Sequence, residues 1–285
     1  MTLEELEIII SANNQKFNTQ IAQVQSKVDN MTTRVNSSLN KISGTFNKIG
    51  KIIAGAFAIT AISRFTKECL GLGSDLQEVQ NVVDVTFGSM SDKVNEFAKN
   101  AWKTVGLSET MAKQYMGNFG AMAKSMGFTV ESAEKMAETL TNLSGDVASF
   151  YNIAQSEAYT KLKSVFTGET ETLKELGVVM TEANLDQYAL ANGYGKTTSK
   201  MNQQEKVALR LAYVTETLSA ANGDFARTSN SWANQVRLLS LQFQSFKASI
   251  GQGLIAVLTP VINVINKIMA KLVQMANTLT PYLVQ

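Results

Sequence analysis

Paired carboxylates, spaced glycines and two acids that each follow a glycine are the features of this chain whose types and spacing could carry chemistry. Glu169 and Glu171 flank a turn in FTGETETLKELGV, and two carboxylates that face one another can divide general acid and base work. Nothing in the sequence sets them across a cleft, and acids beside a helix start ordinarily answer the helix dipole. Gly117, Gly120 and Gly127 have neither a preceding strand nor the spacing of a phosphate loop, so helix packing and termination account for them. Asp146 and Asp224 occur in SGDVASF and NGDFART. A calcium loop would need several more oxygen ligands at short intervals, so capping at turns is the expected job. Met111, Met116, Met122, Met126 and Met136 could form an adaptable binding surface, but their helical context favours a core.

The composition narrows the chemistry further. The 285-residue chain has no histidine, and so lacks the commonest general base and metal ligand. Cys69 is the single cysteine, which rules out a disulfide within the chain and a cysteine zinc cluster. Its apolar surroundings, Thr66 to Leu72, predict a buried, inert thiol. No nucleophile and base pair can be assembled from the remaining motifs, so no catalytic residue, cofactor or metal is expected, and the chain reads as a structural and interaction protein. With 26 basic and 24 acidic residues, the net charge of +2 gives no field for specific nucleic-acid recognition.

Hydrophobic residues make up 45% of the chain, enough for a real core. Pro260 and Pro281 are its two prolines, which leaves nearly the whole length free of the strongest helix breaker. An all-α fold follows, with no strand pattern anywhere. Phe17, Ile21, Val24, Val28, Met31, Val35, Leu39, Ile42, Phe46 and Ile49 fall at the alternating four-three spacing of a heptad seam, with one slip between Val35 and Leu39. Such a narrow seam needs a partner helix, either a copy of itself or another element, so these residues are the expected oligomerisation seam. The alternative is a surface helix on a globular domain.

Beyond Gly71 and Gly73 shorter helices are expected. Ser91 to Val105 is one, capped by Ser89 or Ser91 and ended by Gly106; Ser108 with Glu109 opens the next, which Gly127 closes. Thr129 starts a helix whose core stripe is Ala133, Met136, Ala137, Leu140 and Leu143. Further helices are expected over Glu157 to Phe166, for about two turns between Thr167 or Thr170 and Gly177, over Gln203 to Ala221, and from about Ser229 to Gly251. The apolar run Ile52 to Ile62 is too short to span a bilayer, and close helix packing explains it more simply. Leu254 to Leu283 is interrupted by Pro260, Asn263, Asn266, Lys267 and Lys271, and reads as an amphipathic helix. The start, MTLEELEIII, has no basic region and reads as no secretory signal. The segments are therefore a heptad-patterned helix over 1–65, a multi-helix region over 66–252, and an apolar amphipathic helix over 253–285.

The runs VFTGETETLKELGVVMTEANLDQYAL, NQQEKVALRLAYV, ANGDFARTSNSWANQVRLLSLQF, and IGQGL with LTPVINVIN together resemble the N-terminal conserved region of tail tape measure proteins of long-tailed bacteriophages. The similarity runs in order from about Cys69 to Ile265. Matching residues are Gly168, Glu171, Leu173 and Gly177, then Gly223, Asp224 and Phe225, then Asn234, Arg237 and Gly251. The resemblance implies that these residues are structural. It further implies a virion protein inside the tail tube lumen that sets tail length during assembly in the host cytoplasm and is expelled with the DNA, helping the genome cross the host envelope. Implied partners are other copies of itself in a threefold assembly, the tail tube protein, tail assembly chaperones, distal tail and baseplate proteins, and the host membrane.

Length sets this chain apart from that family. At about 1.5 Å per residue, a fully helical chain of this size would reach roughly 430 Å, whereas family members are usually much longer. An N-terminal fragment, a split gene product or an unusually short tail is therefore expected. Two other functions suit the same helices: a coiled-coil component or effector of a phage-tail-like contractile injection system, and a membrane-active, pore-forming protein.

Overall fold

The computed structural model describes residues 59–283, and these are helical throughout apart from short connections, with no strand among them. The heptad seam from Phe17 to Ile49 lies outside the described residues. Eleven α-helices follow one another: α1 (Ile59–Phe87), α2 (Ser91–Thr104), α3 (Glu109–Ser125), α4 (Val130–Phe150), α5 (Gln155–Leu162), α6 (Ser164–Thr167), α7 (Glu171–Lys174), α8 (Glu182–Ala191), α9 (Gln203–Thr217), α10 (Asp224–Thr228) and α11 (Trp232–Leu283). The described residues divide into two compact units, one spanning Ser74–Ala248 and the other combining 59–73 with 249–283.

The larger unit is built on the antiparallel pair α3 and α4, with α2 beside α3 and α5 and α10 against α4. Each of the central helices begins with a working cap. The Ser108 hydroxyl accepts from the Met111 N–H, and the Thr129 hydroxyl from the Ser132 N–H, as expected of hydroxyl residues before an apolar periodic run. On α4 the stripe Ala133, Met136, Ala137, Leu140 and Leu143 is buried, as its spacing requires. It meets Ala112, Tyr115, Met116, Phe119 and Ala123 of α3 within one core. Met116 and Met136 are buried, while Met111, Met122 and Met126 pack against the same core from its margin. Gly117 and Gly120 sit where added side-chain carbons would lie 2.9 Å from Val82 and 2.3 Å from the Phe87 ring. They let the end of α1 settle on α3, and Lys124 then donates to the Thr86 carbonyl at 2.6 Å, satisfying an orphan acceptor in the last turn of α1. An aromatic column continues the core outward: Tyr115 stacks on Tyr159 at 4.1 Å, and Phe119 meets the edge of Tyr159 and then Phe166.

Several elements differ from the sequence expectations for identifiable reasons. Gly71 and Gly73 do not end a helix, because α1 runs through both. In the smaller unit a side-chain carbon on Gly73 would come within 2.5 Å of the Gly251 backbone, and one on Gly251 within 1.7 Å of the Cys69 carbonyl oxygen. Here α1 and α11 cross backbone on backbone, so the glycines serve contact rather than termination. Cys69 is fully buried at that crossing. For the same reason α11 continues past Gly251, and on through Pro260, which removes a single ladder hydrogen bond from a very long helix. The expected segment junctions at 65/66 and 252/253 therefore both fall inside continuous helices.

Smaller differences are local. Neither Ser89 nor Ser91 caps α2; Ser91 is its first residue and donates instead to the Gly88 carbonyl at 2.7 Å. The helix expected over Glu157 to Phe166 is two, α5 and α6, divided at Lys163. Thr170 precedes α7 without a side-chain cap, and α7 is one turn rather than two. The expected helix from Gln203 to Ala221 ends at Thr217. Helix α8 has no counterpart among the expected helices, although its Thr181 cap and Glu182 in the first turn are ordinary start signals. No described helix is long and apolar enough to cross a membrane.

Candidate functional site: a clasp of motif residues around Asp146

The two acid-after-glycine segments meet in space, through a contact between Asp146 and Gly223. Asp146 projects from the buried face of α4, where one carboxylate oxygen accepts the Gly223 N–H at 2.8 Å and the other the Phe225 N–H at 3.2 Å. These donors lie at the start of α10, where backbone N–H groups have no intrahelical acceptor. Asp146 therefore caps α10 from another helix, with the charge at the favourable end of the dipole. Burial raises its carboxyl above the ordinary range, and the two backbone donors oppose that rise; nearby Asp224 adds to it and Arg227 subtracts. Asp224, the acid of the second segment, caps nothing. Its side chain pairs with Arg227 at 3.3 Å, and Arg227 also donates to the Asn222 and Ala220 carbonyls, closing the turn that precedes α10.

Three glycines make this meeting possible. Gly223 has φ +71 and delivers the chain into α10 in the left-handed conformation. Gly106 has φ +66, and a side-chain carbon there would lie 2.4 Å from the Phe225 ring, which is fully buried. Gly145, inside α4, approaches the Val105 carbonyl so closely that a side-chain carbon would stand 2.1 Å from its oxygen. Gln155 then donates to the Gly106 carbonyl at 3.0 Å. The end of α2, the middle of α4 and the start of α10 are thus gathered at one point.

Asn234 extends the clasp into the first turn of α11. Its buried amide donates to the Thr228 hydroxyl at 2.8 Å, the Thr228 carbonyl at 3.1 Å and the Ser149 hydroxyl at 3.4 Å. Ser149 and Thr228 are themselves 3.1 Å apart. A buried amide whose donors are met by several acceptors fixes geometry more than it adds energy. Arg237, one turn later, is half-buried, and burial lowers its guanidinium pKa.

The remaining motif residues lie elsewhere. Gly168 follows α6 and carries the Arg210 guanidinium against it; a side-chain carbon would be 2.8 Å from that group, which donates weakly to the Phe166 carbonyl at 3.4 Å. Leu173 is fully buried, and Gly177 ends the turn after α7. Glu171 is exposed and pairs with Lys174 at 2.7 Å. It does not face Glu169 across a cleft: the cleft of about 300 Å³ beside this turn is lined by Gly168, Thr170, Glu182, Thr198, Lys206 and Arg210 among others, and by neither of those carboxylates. Gly251 belongs to the crossing of α1 and α11 already described. Among the described residues, no three or more acids or cysteines come together as a metal site.

Sequence reasoning missed two things here. It assigned Asp146 and Asp224 to capping but could not pair Asp146 with Gly223, because no local spacing encodes a contact across 77 residues. It also passed over the outer face of α11, where Trp232, Val236, Leu239, Phe243 and Phe246 are exposed. Their four-three spacing was a readable signal. No family model matches this chain, and no curated protein or solved structure matches it either.

Proposed function

We propose that this chain is the N-terminal conserved region of a tail tape measure protein: a structural virion component that occupies the tail tube lumen, sets tail length during assembly and leaves with the DNA. The observation that carries the reading is the occurrence of four motifs in order over about Cys69 to Ile265, in a chain whose described residues are all-helical. It is supported by the tasks the motif residues perform. Gly223, Phe225 and Asn234 hold helix junctions, Leu173 fills the core, and Gly251 permits a helix crossing. In this reading the 17–49 seam forms a coiled coil with other copies, and the tail tube protein, assembly chaperones and distal tail proteins are the remaining partners.

The test is recovery from tails. Intact tail particles purified from the strain that encodes the chain are expected to contain it, protected from protease until DNA ejection is triggered and then released. Its absence from such tails, or its recovery only from a sheath-bearing particle that carries no genome, would replace this reading with the injection-system one.

A further inference from the structure

The cleft of about 300 Å³ beside the turn between α6 and α7 is lined by two cations that the fold leaves without an acid. Lys206 and Arg210 stand four residues apart on α9, so their side chains rise from one face of the helix into the same space. Neither makes an ion pair among the described residues. The acids of the neighbouring segments are engaged by other donors. Glu182 of α8, which also lines the cleft, accepts the Thr198 hydroxyl at 3.2 Å, and Asp186, one turn on, accepts the Thr198 N–H at 2.6 Å. Glu205, next to Lys206 in sequence, accepts from Lys196 and from the Asn202 N–H.

Arg210 is held in place without being satisfied. Its guanidinium lies against Gly168, where a side-chain carbon would stand 2.8 Å away, so the left-handed glycine gives the planar group its seat. Its acceptor among the described residues is the Phe166 carbonyl at a weak 3.4 Å, which leaves most of its five N–H donors unmet by the fold. Burial lowers its pKa, and no acid opposes the change. Half-burying a guanidinium costs solvation, and an anion bound there would offset that cost.

The walls restrict what the anion can be. Two cations against the single acid Glu182 leave one positive charge in the lining, which suits a monoanion better than a phosphate dianion. The arginine fork matches a carboxylate through two parallel hydrogen bonds. Met180 and Leu185 give the cleft an apolar wall, and its volume lies at the small end for ligand sites, so a short branched chain fits where a large cofactor would not.

We propose that this cleft binds a carboxylate on a short apolar stem, with Arg210 as the two-pronged donor, Lys206 as the second charge, and the stem against Met180 and Leu185. Two sources share that chemistry: a free branched-chain acid, and the C-terminal carboxylate of a peptide ending in leucine. The inference does not draw on the tail reading and stands or falls without it.

The test is a titration of the isotope-labelled full chain with isovalerate, followed by nuclear magnetic resonance at the Gly168 amide and the Arg210 Nε–H. Both resonances are expected to shift saturably. Isovaleramide, which keeps the stem and removes the charge, is expected to bind more weakly by about tenfold, as is isovalerate to Arg210→Gln. Lys206→Gln is expected to weaken it by about threefold. If Arg210→Gln does not fold, Arg210→Lys decides, because it keeps the charge and loses the fork; its affinity is expected to fall by about fivefold. Absence of a saturable shift overturns the proposal. So does an amide that binds as well as the acid, inorganic phosphate that binds more tightly than isovalerate, or an Arg210 variant with unchanged affinity. N-acetyl-alanyl-leucine and its C-terminal amide separate the two sources. A free-carboxylate peptide that binds more tightly than isovalerate, while its amide does not bind, assigns the site to a chain terminus; a peptide that binds more weakly assigns it to a free acid.

Discussion

Helices α4 and α11 carry apolar residues at the same kind of spacing, yet one stripe is sealed in a core and the other is partly exposed. On α4, Ala133, Met136, Ala137, Leu140 and Leu143 are buried; on α11, Trp232, Val236, Leu239, Phe243 and Phe246 are exposed. Periodicity says which residues share a face and nothing about what covers it. What separates the two helices is the means of close approach. Helix α4 contains Gly145 against Val105 and faces α3, whose Gly117 and Gly120 admit α1. The exposed ridge of α11 contains no glycine and presents only large side chains. Glycines gather the larger unit, and the exposed stripe of α11 has none.

The sharpest way to break this contrast is to fill one glycine and trim one ridge residue. Gly145→Val places carbon where the Val105 carbonyl already stands, and is expected to cost more than about 4 kcal/mol, so that thermal melts show no cooperative folded state. Trp232→Ser, measured in a chain held monomeric, is expected to change stability by less than about 0.5 kcal/mol, as an exposed site should. A Gly145→Val protein that melts like the wild type would erase the distinction.

Removing the clasp comes next. Asp146→Ala leaves two backbone donors without their acceptor, and a loss of about 3 kcal/mol is expected in urea titrations. The pH dependence has a definite sign. Because the Asp146 carboxyl is raised in the folded protein, the folded state holds its proton more tightly than the unfolded chain does. Its contribution is full below the ordinary carboxylate range and declines as pH rises through the raised value. The gap between wild type and Asp146→Ala is thus expected to be widest in acid and to narrow toward neutrality.

Caps give smaller effects. Asn202 and Glu205 form a reciprocal capping box at the start of α9, and Asn202→Ala is expected to cost about 1 kcal/mol in the same titrations. The smallest change runs the other way. A side-chain carbon on Gly71 meets nothing within 4 Å, unlike one on Gly73 two residues on, and Gly71 lies inside α1. Gly71→Ala is therefore expected to raise stability by about 0.5–1 kcal/mol, and Gly73→Ala to lower it.

How far the sequence could be read follows the same division. Local signals were legible: Ser108 and Thr129 cap as their positions suggest, Gly106 and Gly127 follow helix ends, and the α4 stripe is buried. Signals that depend on a distant partner were not. Gly73 and Gly251 look like stops until the opposing backbone is seen, and Pro260 looks like a break until the length of α11 is known. At the clasp, the job of Asp146 could be inferred from its glycine neighbour, but its partners could not. The α11 ridge was legible as spacing and illegible as surface, because exposure is a property of the fold and not of the pattern.

The central claim is that Asp146 caps α10 across the fold, and amide hydrogen exchange on the full chain tests it most directly. The N–H groups of Gly223 and Phe225 sit at a turn and a helix start, where backbone amides ordinarily lack an acceptor and exchange quickly. In the wild type they are expected to be protected as strongly as amides of the α3 and α4 core, and in Asp146→Ala to lose that protection before the core does. Fast exchange at both amides in the wild type would contradict the clasp.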